Sequence, residues 1–153
     1  MPNTDDFLRR QDHIIDTTGW AVTHVLPTHD DPDTTAPFAY TVGLTAHGHP
    51  ELITAGLPPE VAHTLLNDLA QRVYDKAERF THGQTVSDLI AGYDAIIIDG
   101  PPTDDLHPGM AIARYGRDQI RLQQLVWPDQ QGRFPWDSGY DFDPHVQPLI
   151  ADL

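Results

Sequence analysis

The sequence predicts an α+β fold, in which a mainly antiparallel sheet packs against one long helix and shorter helices. Two observations support this prediction. Short segments of alternating apolar and polar residues, typical of strands, are mixed with segments of helical periodicity. These segments do not follow the regular strand–helix–strand repeat of a doubly wound α/β protein. The pattern leaves open whether the sheet closes into a barrel.

The first third of the chain predicts a helix, a strand and a loop. Residues 4–16 place their apolar side chains along one helical stripe. Residues 20–26 alternate apolar and polar side chains, which indicates a strand. Residues 27–37 are rich in Pro, Asp and Thr, a composition typical of solvated loops.

Two segments, 38–44 and 51–57, predict a β-hairpin, and both end in the pattern Thr-x-Gly-Leu. The simplest antiparallel register sets Thr41 opposite Thr54. One face of the hairpin then carries unusually small residues, namely Ala39, Thr41, Gly43, Thr54 and Gly56. Glycine within a strand often marks a close approach by a ligand or another backbone, and a tightly packed helix is the alternative occupant of this face.

The remaining regular elements follow in order. Residues 58–80 begin with Pro-Pro and continue with apolar residues at helical spacing, which predicts the longest helix. A short extended piece follows Gly83. Residues 93–99 predict a strand buried on both faces, because three isoleucines follow one another. Residues 108–116 predict a short helix, and residues 120–126 predict the last strand.

The length and charge of the chain limit its function classes. A chain of 153 residues is most simply one domain, residues 1–153. Its formal net charge of −14 opposes binding to phosphate backbones and anionic lipids, so we expect neither nucleic acid nor membrane as a partner, whereas a basic protein partner is compatible. The sequence lacks a membrane-length apolar run and a signal peptide, which predicts a cytoplasmic location.

The last predicted strand is followed by residues 127–140 (WPDQQGRFPWDSGY), which we call the aromatic segment. It contains more aromatic residues than an ordinary loop. Pro128 and Pro135 stiffen it, and the residues from Asp129 to Gly132 predict a turn. Two roles are open: a small core folded over the sheet, or a rigid aromatic wall of a binding site formed by Trp127 and Trp136.

Two side chains of the aromatic segment lead to specific expectations. Arg133 should either pair with Asp129 or Asp137, or face an anionic ligand. Phe134 and Trp136 should point to opposite sides if the segment is extended.

The predicted hairpin turn contains the best candidates for chemistry. His49 and Glu51 are acid/base candidates, and no nucleophile, nucleotide or phosphate-binding motif competes with them. His47, His49 and Glu51 are also the only residues whose spacing could provide a metal site. Because Gly48 and Pro50 favour a turn in which these side chains diverge, we expect no metal.

Three stretches resemble a known family. They are 38-FAYTVGL-44, the run His49-Pro50-Glu51-Leu52, and 124-QLVWPDQQGRFPW-136, and together they resemble the bacterial domain of unknown function 4262. The resemblance covers about residues 20–136, to which helix 4–16 and tail 141–153 are appended. It implies no particular activity. The positions that match the family pattern are Tyr40, Thr41, Gly43, His49, Pro50, Glu51, Trp127, Pro128, Asp129, Gly132, Phe134, Pro135 and Trp136.

Two main hypotheses for function follow. The first is a site for an unidentified small molecule between the hairpin, the 47–51 turn and the aromatic segment, with acid/base chemistry as an option. Its expected ligand contacts are Tyr40, Thr41, Trp127, Asp129, Arg133 and Trp136. The second is an acidic interaction protein, of an inhibitor or immunity type, that binds a basic partner without catalysis. A flavin-binding split barrel is a third, architectural alternative; the sequence identifies no cofactor and no oligomeric state.

Overall fold

The structure, a computed structural model, describes residues 4–152; residues 1–3 and 153 of the predicted domain lie outside this range. The elements are α1 (Thr4–Thr18), β1 (Ala21–Val25), β2 (Phe38–Val42), β3 (Glu51–Ala55), α2 (Pro59–Lys76), β4 (Thr85–Ile90), β5 (Tyr93–Gly100), α3 (Gly109–Tyr115) and β6 (Leu122–Val126), with short 3-10 helices at Leu44–His47 and Arg117–Gln119. Every predicted helix and strand is present, with ends that differ by a few residues.

The six strands form one mixed sheet in the order β1-β2-β3-β6-β5-β4. Among the strands that the structure describes, the β3–β6 pairing is parallel and the other pairings are antiparallel. The predicted α+β class is confirmed. The barrel alternative is wrong, because β1 and β4 remain as the two open edges of the sheet among the described residues. The expectation of one long helix is also wrong, since α1 has 15 residues and α2 has 18.

Helix α2 covers one face of the sheet. Its buried positions recur at three- and four-residue spacing, so they form one stripe that packs on the strands. The core on this face contains Trp20, Ala39, Leu44, Leu52, Ala62, Leu65, Leu66, Leu69, Ala70, Val73, Phe80, Val86, Ala95, Ile97 and Leu125. The small-residue face of the hairpin is therefore covered by a helix, which was the alternative to a ligand at this face.

The opposite face is covered by α3, the aromatic segment and the C-terminal tail. Its core contains Tyr40, Val42, Ile53, Ala55, Ile98, Leu106, Ala111, Ile120, Leu122, Val126, Phe134 and Ile150. Strand β5 contributes Ile97 to the α2 face and Ile98 to this one, which confirms its burial on both faces. None of the helices within residues 4–152 is both long and apolar enough to span a lipid bilayer.

The hairpin of β2 and β3 has a register two residues away from the simplest one. Tyr40 pairs with Ile53 and Ala39 pairs with Thr54, so the prediction that Thr41 lies opposite Thr54 is wrong. The 3-10 helix Leu44–His47 lengthens the connection and allows this shift. Because side chains alternate with a period of two, the shift leaves every side chain on its predicted face.

Two glycines explain the repeated Thr-x-Gly-Leu pattern. Gly43 and Gly56 follow β2 and β3, and both have positive φ values, 136° and 84°. A Cβ atom at Gly43 would collide with the backbone of Gly19 and Trp20, and one at Gly56 would collide with the carbonyl oxygen of Val146. The expected close approach at these glycines is therefore made by other backbone segments.

Candidate functional site

Glu51 organises the connection between β2 and β3. Its side chain is fully buried, and its carboxylate accepts hydrogen bonds from the backbone N–H groups of Gly43 (3.3 Å), Leu44 (3.1 Å) and Thr45 (2.8 Å). The hydroxyls of Thr41 and Thr45 also donate to it. Burial raises the pKa of the Glu51 carboxyl, and the hydrogen bonds from Thr45, Thr41 and Leu44 oppose part of that rise. Both oxygens are thus engaged in holding the turn.

His49 lies at the same end of the sheet, but its environment is different. The residue is 3% exposed, and its Nδ1 lies 2.6 Å from the carbonyl oxygen of Pro50. The ring meets Phe80 edge-on, with centroids 6.1 Å apart. Burial lowers the pKa of His49, the hydrogen bond to Pro50 opposes this, and the nearby Arg79 and Arg121 lower the pKa further. Burial and the two arginines therefore favour the neutral form of His49.

The three residues considered for a metal do not converge. The His47 ring packs edge-on against Tyr74, with centroids 4.3 Å apart, whereas His49 faces Phe80 and Glu51 is enclosed by its five donors. Within residues 4–152, no group of three His, Asp or Glu side chains could hold a metal ion.

Tyr40 and Thr41, both predicted ligand contacts, are buried on opposite faces of β2. The Oη of Tyr40 accepts a hydrogen bond from the backbone N–H of Met110 at the start of α3 (2.9 Å). Thr41 donates to Glu51 and accepts from the Leu52 N–H (2.9 Å). Both side chains thus connect elements of the fold, and each is at most 1% exposed.

Trp127 is held rigidly at the other end of the sheet. Its indole N–H donates to the carbonyl oxygen of Ala55 (2.7 Å). Its backbone N–H and carbonyl exchange two hydrogen bonds with the side-chain amide of Gln147, at 2.9 Å each. Phe142 meets the indole edge-on, with ring centroids 5.5 Å apart. The ring orientation is therefore set by contacts from β3 and from the C-terminal tail.

Asp129 closes the turn that follows Trp127. Its carboxylate accepts from the backbone N–H groups of Gln131 and Arg133 (2.9 Å each) and of Asp141 (3.1 Å). The Arg133 guanidinium donates to it at 3.1 Å. Burial opposes the ionised form, but the hydrogen bonds from Arg133, Asp141 and Gln131 outweigh burial and lower the pKa of Asp129. Of the roles expected for Arg133, the structure shows the pairing with Asp129.

Phe134 and Trp136 stack against each other, with centroids 5.3 Å apart and planes 8° from parallel. The expectation that they point to opposite sides is wrong, because the segment is not extended. The Asp137 N–H donates to the Phe134 carbonyl oxygen (2.8 Å), and the Asp137 carboxylate accepts from the Phe134 N–H (2.8 Å). This turn brings both rings onto the face of the sheet opposite α2.

The predicted site residues fall into two groups at opposite ends of the sheet. Leu52 pairs with Gln123 across the parallel β3–β6 ladder. His49 precedes Leu52 by three residues and Trp127 follows Gln123 by four. At ~3.3 Å per residue, His49 and Trp127 are roughly 20 Å apart along the strands. The hairpin turn and the aromatic segment therefore do not form one composite site.

A cleft of about 370 Å³ lies beside Trp127, on the side of α2. Its lining consists of Leu57, Val61, Leu65, Ile90, Tyr93, Trp127, Pro128, Asp129, Gln130 and Phe142. Val61, Tyr93 and Phe142 remain between 37% and 41% exposed although they are large and apolar. The contributions of α2 and of the β4–β5 hairpin to this cleft were not predicted, because no local sequence pattern indicates which apolar residues stay exposed.

A comparison with family models matches most of the chain. A family model described as "Domain of unknown function (DUF4262)" matches residues 14–141. The match begins within α1 and extends past the aromatic segment, so it is wider than the span of 20–136 expected from the motifs. No curated protein and no solved structure matches the chain.

Proposed function

The chain belongs to the DUF4262 family, and we propose that it binds a small uncharged aromatic or aliphatic molecule in the cleft beside Trp127. The supporting observation is the cleft itself: about 370 Å³, walled mainly by apolar side chains. This volume lies within the range of ~300–1,000 Å³ that is usual for small-molecule sites.

The rigidity of the Trp127 wall supports the proposal. The indole is fixed by Ala55, and the backbone on either side of it is fixed by Gln147. A wall that is already ordered loses little conformational entropy when a ligand packs against it. Flat aromatic walls also suit planar ligands.

The charges around the cleft determine the ligand class that we propose. Arg133, the only cation in the aromatic segment, is paired with Asp129. The carboxylate of Asp129 is in turn occupied by its four donors. Arg133 is not among the residues that line the cleft, and both oxygens of Asp129 are already hydrogen-bonded. The net charge of −14 also opposes anions. An uncharged ligand fits these conditions best.

The proposal concerns binding and includes no catalytic step. His49 and Glu51 lie at the far end of the sheet, roughly 20 Å from Trp127 along the strands. Their acid/base role stays a separate prediction, as does a cytoplasmic location.

A fluorescence titration with the uncharged aromatic dye Nile red tests the proposal. We expect saturable binding at one site, accompanied by a change in tryptophan emission. Replacing the exposed cleft residue Val61, as Val61→Asn, should weaken binding by about fivefold because it removes apolar contact area. The matched control is Val25→Asn, another exposed valine, which lies in β1 and outside this cleft; it should leave the affinity unchanged.

Three results would contradict the proposed site. They are the absence of saturable binding, equal losses in the two valine variants, and tighter binding of an anionic dye of similar size. Each variant should be checked by chemical denaturation, so that a loss of fold is not counted as a loss of binding.

A second candidate function, binding of a basic protein segment, has support from a different cleft. This wider cleft of about 660 Å³ lies beside the β1–β2 loop and the C-terminal tail. Asp31, Asp104 and Asp105 line it, and no lysine or arginine does. Such a surface complements a cationic partner.

A synthetic Lys- and Arg-rich peptide tests this second candidate. Binding should weaken steeply as salt is added, because salt screens exposed charges. Asp104→Asn and Asp105→Asn should weaken binding, whereas Asp94→Asn, an exposed aspartate outside this cleft, should not. Salt-independent binding would exclude this candidate.

A further inference from the structure

Two polar atoms stand out within residues 4–152. The Nε2 of His49 and the Oε1 of Gln123 are the buried side-chain nitrogen or oxygen atoms without a hydrogen-bond partner in this part of the chain. Both residues are 3% exposed. Buried polar groups in native proteins are nearly always hydrogen-bonded, so two exceptions require an explanation.

Both atoms are hydrogen-bond acceptors. Because the Pro50 carbonyl can only accept, the Nδ1 of His49 donates to it, and the Nε2 of the neutral ring carries a lone pair. The Nε2 of Gln123 donates to the carbonyl oxygen of Phe80 (2.7 Å) and to Asp99 (2.8 Å), which fixes the amide orientation. Two acceptors cannot satisfy each other, so what is missing is a donor.

Both residues contact Phe80, which places them in the same part of the fold. The His49 ring contacts the ring of Phe80, and Gln123 bonds its carbonyl oxygen. Phe80 belongs to the segment that follows α2, which starts at Ala77 with a left-handed backbone (φ 53°). A cleft of about 340 Å³ is lined in part by Pro50 and Asp99, which are hydrogen-bond partners of His49 and Gln123, and by Arg121.

We propose that His49 and Gln123 form the floor of a second binding site, against which Phe80 packs in this structure, for a small ligand that carries an NH₂ or NH₃⁺ group. Such a group supplies the two donors that the acceptors lack. The ligand enters from the cleft at Pro50, Asp99 and Arg121 when Phe80 moves aside. This site is independent of the cleft beside Trp127, because the two lie at opposite ends of the sheet.

The nitrogen resonances of the His49 side chain provide the test, with acetamide and methylammonium as probes. We expect the free protein to show His49 protonated at Nδ1 alone. One of the probes should then shift the Nε2 resonance in a saturable manner, as the lone pair accepts a hydrogen bond. Saturation by acetamide identifies a neutral amide ligand class, and saturation by methylammonium identifies an amine.

Matched probes without N–H donors provide the control in the unaltered protein. N,N-dimethylacetamide and tetramethylammonium should produce no saturable shift. Gln123→Met, which removes the acceptor and keeps the side-chain length, should weaken binding by about tenfold. Phe80→Leu should strengthen it, because the smaller side chain leaves more room beside His49. The donor-free probes need no variant, so the test holds even where a substitution prevents folding.

Several outcomes would overturn the proposal. His49 protonated on both nitrogens at neutral pH would mean that Nε2 is a donor and that no ligand is needed. Equal shifts with the donor-free probes would indicate non-specific binding. The lack of a saturable shift, together with one ordered water bonded to both atoms in a crystal structure, would assign the pair to a structural water.

Discussion

Glu51 and Asp129 are buried carboxylates that each organise a turn, at opposite ends of the same sheet. Glu51 binds the turn before β3 through three backbone N–H groups and two hydroxyls. Asp129 binds the turn after β6 through three backbone N–H groups and one guanidinium. One donor to Asp129 is a cation, whereas none of the donors to Glu51 is. Burial outweighs the donors of Glu51 and raises its pKa, whereas the hydrogen bonds of Asp129 outweigh burial and lower its pKa.

The hydrogen bonds of the two carboxylates bear on the acid/base role of Glu51, which stays a prediction. A general acid or base needs an oxygen that can reach a substrate. The oxygens of Glu51 and Asp129 are instead occupied by donors of their own loops. At the hairpin end, His49 is the residue that retains an unpartnered basic atom.

The largest expected effect tests the structural role of Glu51. Glu51→Ala leaves the N–H groups of Gly43, Leu44 and Thr45 without their acceptor. Because buried unpaired donors are costly, we expect a loss of roughly 3–5 kcal/mol in the free energy of unfolding, measured by chemical denaturation. Glu60→Ala, at an exposed glutamate on α2, is the matched control and should change stability by less than ~0.5 kcal/mol. Similar losses in the two variants would refute the assigned role.

A second comparison tests the close backbone contacts at Gly43 and Gly56, which follow β2 and β3. Gly43→Ala and Gly56→Ala each place a Cβ against another backbone segment at positive φ. We expect each to cost more in the free energy of unfolding than the ~1–3 kcal/mol of backbone strain alone. Gly48→Ala provides the control, because Gly48 also has positive φ (71°) but has no neighbour within 4 Å of an added Cβ. It should show the backbone strain alone, so a cost at Gly48 equal to the other two would argue against the collisions.

A smaller effect distinguishes the two tryptophans of the aromatic segment. Trp127→Phe removes the indole N–H and leaves the Ala55 carbonyl without that donor, so we expect a loss of about 1 kcal/mol. Trp136→Phe keeps an aromatic ring against Phe134 and should cost less than ~0.5 kcal/mol. Thermal and chemical denaturation of both variants measure the difference. The reverse order would mean that the stack, not the hydrogen bond, anchors the segment.

The most subtle test uses pH, since the two carboxylates should respond in opposite directions. The pKa of Asp129 is lowered from 3.8, so its stabilisation is present above that pH and is lost as the pH falls through the folded value. The stability deficit of Asp129→Asn should therefore disappear in acid.

The pKa of Glu51 is raised from 4.5, so its ionisation costs stability as the pH rises from 4.5 through the folded value. The advantage of the natural protein over Glu51→Gln should shrink across that range. Unfolding curves collected over a pH series measure both differences. A Glu51→Gln deficit that grows with pH would show that the donors around Glu51 outweigh its burial.

Much of the architecture could be predicted from local patterns. Periodicity identified α2, the hairpin strands and the doubly buried β5, because the spacing of apolar residues reflects the geometry of each element. The repeated Thr-x-Gly-Leu pattern also indicated close approaches at Gly43 and Gly56. The predicted hairpin register was wrong because of the connection between β2 and β3. There the hydrogen bonds of Glu51 support a 3-10 helix that no local sequence pattern predicts.

The sequence by itself determined the elements, the faces of the strands and the family, because each depends on short-range spacing or on motifs. Which elements pack against those faces of the strands is visible only in the tertiary structure. The parallel pairing of β3 with β6 joins segments distant in the chain and sends His49 and Trp127 to opposite ends of the sheet. Helix α2 fills the small-residue face, and the Trp127 cleft forms between α2, the β4–β5 hairpin and the aromatic segment. Such contacts depend on long-range packing, which residue spacing does not encode.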